Sequence, residues 1–159
     1  MSLKQQLQQS LAGMPLFSSG GQSITLNEGQ QELACELAAL DTLACSFTRL
    51  VLRSTALTNK SAGELKTIAE NLSTKLTYLL EPISPIETDA TGCTVQMRSN
   101  PPQKEADRTS YYELLVARAG ELSLVRYSRA PGGTREIVAA HVTREVLCRL
   151  AGDLSDAAA

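Results

Sequence analysis

His141 is the only histidine in the chain, and the cysteines are Cys35, Cys45, Cys93 and Cys148. Nucleophilic catalysis by a thiol needs a base beside it and a third group to orient that base. None of the four cysteines sits in a segment resembling a nucleophile turn, and His141 falls just before a helix cap, where it reads as a surface or structural residue. Cysteine gaps of 10, 48 and 55 residues match no zinc or redox motif. No metal and no cofactor are therefore expected, and the four thiols read as free and buried in a reducing cytoplasm.

The carboxylates are equally quiet. Glu28, Glu32 and Glu36 recur every four residues. On a helix they would share one face, but no matching Glu-x-x-His pattern exists to complete a carboxylate metal site. From Arg129 to Arg135 the chain reads Arg-Ala-Pro-Gly-Gly-Thr-Arg. Glycine N–H groups flanked by arginines make an anion nest in suitable geometry. The spacing is not that of a Walker loop or a dinucleotide fingerprint, so a hairpin turn is the expectation.

Tyrosine and arginine concentrate in the second half. Residues 81–159 hold eight arginines against one lysine, and three of the four tyrosines of the chain. Tyr111, Tyr112 and Tyr127 with Arg126, Arg129 and Arg135 form the candidate ligand or partner surface. Tyrosine and arginine dominate interface hot spots, and their stacking suits a peptide, a phosphate or a single strand. The same half carries 11 acids against nine bases, within a formal charge of −2 for the whole chain. That balance argues against a nucleic-acid partner.

These groups must be positioned by the elements around them. Leu3, Leu7 and Leu11 mark a short helix ended by Gly13, and the Ser/Gly-rich stretch that follows makes residues 1–24 a flexible N-terminal arm. Leu33, Leu37, Leu40, Ala44, Phe47 and Val51 recur with gaps of four and three. This heptad stripe predicts a long helix over 27–54, or two helices broken at Asp41-Thr42. Ser61 and Glu64 open a second helix by a capping box, ending before Pro82. Alternating strands follow over 83–88, 93–98, 111–118, 121–129 and 134–139, and Thr143 caps a last helix. If Ala119-Gly120 is a two-residue turn, Glu113 faces Arg126 and Tyr112 faces Tyr127.

The expected fold is therefore α+β: a helical hairpin on an antiparallel meander sheet of about four strands, with a C-terminal helix, in one domain over 25–156. A helix of about 40 Å outreaches a strand of about 20 Å, so Leu33, Leu37, Leu40, Phe47 and Val51 are the candidate homodimer contact. No stretch approaches the roughly 20 apolar residues of a membrane span, and the Gln-rich start does not read as a signal peptide. The functional expectation is a cytoplasmic, non-catalytic protein–protein interaction module that forms a homodimer and meets an unidentified protein partner. The alternative is a small-ligand or anion binder using the Tyr/Arg sheet face. In size and mixed helix–sheet make-up the chain also resembles secretion chaperones, which implies a secretion-chaperone-like role.

Overall fold

A computed structural model describes all residues, 1–159. Helix α1 (Leu3–Gly13) precedes the strands β1 (Gln22–Glu28), β2 (Gln31–Leu40) and β3 (Ala44–Ser54). After a short 3-10 turn come α2 (Ala62–Lys75), β4 (Ile83–Asp89), β5 (Thr94–Ser99) and β6 (Gln103–Lys104). The hairpin β7 (Thr109–Ala117) and β8 (Glu121–Arg129) leads to β9 (Glu136–Val138), β10 (Ala140–Thr143) and α3 (Arg144–Ala157). No helix is long and apolar enough to cross a membrane.

The strands form one antiparallel sheet in the order β1-β2-β3-β8-β7-β5-β4. It forks at β3. The second half of β3 pairs with β8, Leu50 opposite Leu124, while its first half pairs with β10, Phe47 opposite Ala140. β9 pairs with the far end of β8, Arg126 opposite Val138. The segment 136–143 thus wedges between β3 and β8 where they diverge. All three helices pack on one sheet face. The core between the layers includes Leu7 of α1, Leu72 of α2 and Leu150 of α3. The sheet contributes Leu33, Leu37, Phe47, Leu52, Leu114 and Leu124 to it.

The helical hairpin on a four-strand sheet is not what the chain forms: it is mostly sheet, with ten strands and three helices. The long helix over 27–54 is replaced by β1–β3. The stripe that fits a heptad also fits two strands. Leu33, Cys35 and Leu37 alternate on β2; Leu50 and Leu52 alternate on β3, with a register shift near Leu37 absorbing the phase change. Gly29, at φ 56°, makes the β1–β2 turn, where Glu28 faces Gln31. Asp41 turns the chain again, its carboxylate accepting from Thr42 N at 2.8 Å. Phe, Thr and Val in 47–51 favour a pleated, half-buried surface. Leu33, Leu37, Leu40 and Phe47 are consequently core residues, and Val51 is buried on the opposite sheet face from Leu50 and Leu52. No dimer helix exists for them to line.

The first helix belongs to the packed layer. Leu3, Leu7 and Leu11 are buried, and a capping box joins Ser2 and Gln5. α1 lies so close to α3 that a Cβ on Gly152 would sit 3.3 Å from Lys4 Cδ. In α2, Ser61 and Glu64 make the capping box that their spacing predicts, but the helix stops at Lys75, well before Pro82. Thr143 caps α3 through Val146 N.

Register in the β7–β8 hairpin also departs from expectation by one residue. Ala117 pairs with Glu121, leaving a three-residue loop, Arg118-Ala119-Gly120. Gly120 has φ 106°, a conformation that favours glycine and suits a three-residue hairpin. Tyr111 therefore faces Tyr127, and Tyr112 faces Arg126. A one-residue change of pairing reassigns every cross-strand partner.

Candidate functional site

Strand alternation divides the six candidate residues between the two faces of the sheet. Tyr111, Tyr127 and Arg135 gather on the face without helices. The two rings lie 5.9 Å apart, Arg98 stands over Tyr111 at 4.8 Å and Arg135 over Tyr127 at 3.9 Å. Behind them is Glu113, 5% exposed, which accepts from Arg135 Nη1 at 2.7 Å and from Gln96 Nε2. The Glu113–Arg126 ion pair expected from a two-residue turn does not form. Arg135 comes from the loop after β8 and takes that place. Both cations stack on rings and Arg135 also meets a carboxylate, while Nε of Arg98 is buried without a hydrogen-bond partner. Arg129 stands apart at the end of β8, opposite Thr109, and joins no ion pair.

Tyr112 and Arg126 point to the helix side. There they meet the connector between α2 and β4, and this meeting forms a cleft of about 560 Å³. Its walls include Leu79, Leu80, Glu81, Gln103, Tyr112, Arg126 and His141. Arg126 Nη2 forms an ion pair with Glu81 Oε2 at 2.8 Å and donates to Gln103 Oε1 at 3.0 Å, and its guanidinium lies 4.6 Å from the Tyr112 ring centre. Burial pushes the Tyr112 hydroxyl pKa up, against the lowering effect of Arg126. The second carboxylate oxygen of Glu81 and Nη1 of Arg126 are shielded from solvent without a hydrogen bond. A buried polar atom left unpaired costs about 1–3 kcal/mol, so the pair orients the connector more than it stabilises the fold.

A second hollow of about 350 Å³ adjoins the cleft and shares Leu79, Leu80, Tyr112 and His141 with it. Most of its lining is apolar, including Ala44, Tyr78, Val142 and Val146. The Tyr78 hydroxyl donates to Asp153 Oδ2 on α3 at 2.6 Å, and Arg149 covers the Tyr78 ring at 4.2 Å. Burial first, and the Asp153 hydrogen bond second, push the Tyr78 hydroxyl pKa well up.

The connector is therefore held at Tyr78 and again at Glu81. Between these points Leu79 turns inward, 5% exposed, and Leu80 turns outward, 94% exposed, with a left-handed φ of 66°. Leu43 also projects, and its carbonyl accepts from Arg144 N at 2.9 Å beside the hollow. Sequence reasoning missed Leu80 and Glu81 as site residues. The available signal was the pair Leu79-Leu80 just before Glu81-Pro82, where only one leucine can face the core.

The chemistry of the remaining groups is settled by burial. All four cysteines are free and buried. Burial pushes Cys35 from 9.0 to about 12 and Cys45 from 9.0 to about 11, and raises Cys148 as well. Burial thus disfavours the reactive thiolate form of Cys35, Cys45 and Cys148. Cys35 and Cys45 lie on adjacent strands rather than along one helix. His141 is exposed on β10 at the cleft, with no side-chain hydrogen bond to a carboxylate or nucleophile. No group of His, Cys, Asp and Glu side chains is arranged to hold a metal ion. No family model matches the chain, and no curated protein or solved structure matches it.

Proposed function

We propose that the protein is a non-catalytic interaction module that docks a protein segment on the rim of the α2–β4 cleft, with Leu80 as its projecting anchor. The observation that carries this reading is Leu80 itself. A left-handed backbone costs a non-glycine residue roughly 1–2 kcal/mol, and a leucine that is 94% exposed recovers none of that by burial. Glycine would relieve the strain. Strain maintained by surrounding contacts concentrates at functional positions, and here Tyr78–Asp153 and Glu81–Arg126 maintain it from both sides. The apolar hollow next to the anchor supplies a pocket for a partner's side chain, the arrangement of an interface hot spot. Four buried free thiols support a reducing, cytoplasmic setting.

The test is selection of binders from a random-peptide library displayed on phage. The expected binders carry apolar side chains and lose affinity for the Leu80→Asp and Val146→Asp variants, each checked for unchanged melting temperature. A library that yields no binder to the monomeric chain, or binders indifferent to both substitutions, overturns the reading.

A further inference from the structure

We infer that the natural occupant of this rim is a second copy of the same chain, with Leu80 of each protomer seated in the apolar hollow of its partner across a two-fold axis. The inference rests on the reading of the rim as a protein-docking surface.

Projection and hollow lie side by side on one surface, and Leu80 borders the hollow of about 350 Å³. Truncating one buried leucine leaves an apolar cavity of roughly 150 Å³, so the hollow has room for a leucine side chain. A closed two-fold contact requires one patch that is complementary to itself. An anchor beside a matching cavity satisfies that requirement.

Charge points the same way. Glu81 is matched by Arg126 within the chain, at 2.8 Å. Asp153 receives the Tyr78 hydroxyl, and Arg149 lies over the Tyr78 ring. Arg144 donates to the carbonyls of Asp41 and Leu11, and Glu145 occupies the first turn of α3, where the helix dipole favours an acid. The rim carries three cations, Arg126, Arg144 and Arg149, against three carboxylates, Glu81, Glu145 and Asp153, so a strongly basic or acidic partner gains no net attraction here. A second copy of this balanced rim meets no repulsion. A standard interface buries about 800 Å² per partner, more than one leucine supplies. Leu43, 79% exposed and next to the hollow-lining Ala44, extends the apolar surface.

The experiment combines light scattering at high micromolar concentration with cysteine cross-linking. The expected particle has twice the chain mass of 17.0 kDa, and Leu80→Asp shifts it to the monomer while its circular-dichroism spectrum remains that of the folded wild type. Mixing a Leu80→Cys chain with a Val146→Cys chain under oxidation should give a disulfide-linked pair. Wild type should not cross-link, since its cysteines are buried. Replacing Val146→Cys by Ile137→Cys, on the face without helices, should also abolish the cross-link. A dimer that survives Leu80→Asp, or that cross-links through Ile137→Cys instead, overturns the inference. A monomer whose rim still selects library peptides overturns the second-copy inference and leaves the docking reading standing. A monomer that selects none overturns both.

Discussion

Leu80 and Glu113 are opposite cases of a side chain in an unexpected place. For Leu80, stability and docking should move in opposite directions when melting is followed on chains diluted until the wild type is monomeric. Leu80→Gly removes left-handed strain of roughly 1–2 kcal/mol, offset by about 0.5–1 kcal/mol of glycine's extra freedom when unfolded. The expected result is a melting temperature raised by up to a few degrees, given about 2–4 °C per kcal/mol in a domain of this size, with weakened docking. Leu80→Ala keeps the strain and removes the anchor, so it should leave the melting temperature unchanged while weakening docking equally. For Glu113 the carboxylate is buried and serves both Arg135 and Gln96. Glu113→Ala should cost about 1–3 kcal/mol, the range for leaving buried partners unmatched. Arg53 makes two bridges, to Glu32 at 2.8 Å and Glu121 at 3.0 Å, but its side chain is 47% exposed. Arg53→Ala should therefore stay within about 1 kcal/mol. Urea midpoints will rank the two, and a larger loss for Arg53→Ala would contradict the greater weight of the buried carboxylate.

Among the elements, the β7–β8 hairpin decides which side chains share a face, and Gly120 decides its register. A Cβ added at Gly120 meets Ser54 O at 3.3 Å, at a φ of 106°. Gly120→Ala should destabilise by about 1–3 kcal/mol, read as a drop in urea midpoint, whereas Gly13→Ala, with open space around it, should not. The same hairpin shows how far the sequence was legible. Both strands and their glycine were visible, but a two-residue and a three-residue loop are equally consistent with Arg118-Ala119-Gly120-Glu121. That one residue decides whether Arg126 meets Glu113 or Glu81, so the residues of the site could be found while their faces could not. Capping boxes at Ser61 and a cap at Thr143 were legible because they are local hydrogen bonds. β1–β3 were not, because their apolar spacing satisfies two periods, and Ala34, Ala38, Ala39 and Ala44 fit either. Pairing with β8 and β10, far along the chain, settles the choice. β4 closes the sheet as an edge strand: Pro85 sits at a register shift in it, a feature that discourages further strand addition. That guarded edge directs attention to the connector as the contact surface.

At the scale of the whole molecule, the two layers enclose three thiols between them: Cys35 on β2, Cys45 on β3 and Cys148 on α3. Their mutual charge repulsion adds to burial in raising Cys35 and Cys45. Above pH 9.0 an unfolded chain releases these protons while the folded chain keeps them, up to about 11 for Cys45 and about 12 for Cys35. The unfolded state then binds fewer protons, so the free energy of unfolding falls as pH rises. The contribution is complete below pH 9 and is lost progressively through the folded values, at up to about 1.4 kcal/mol per pH unit per thiol. The raised Tyr78 hydroxyl acts in the same direction above its ordinary value of 10.0. Stability should therefore be flat from neutrality to about pH 8.5 and decline steeply beyond it, through these groups packed between the layers. Cys35→Ala lowers stability at pH 7 by leaving a small cavity, but it also removes one titrating group from the interior. Its urea midpoint should consequently fall less between pH 8 and pH 10.5 than that of the wild type. Parallel pH profiles for the two proteins would show that Cys35 is not held protonated between sheet and helices as the fold requires.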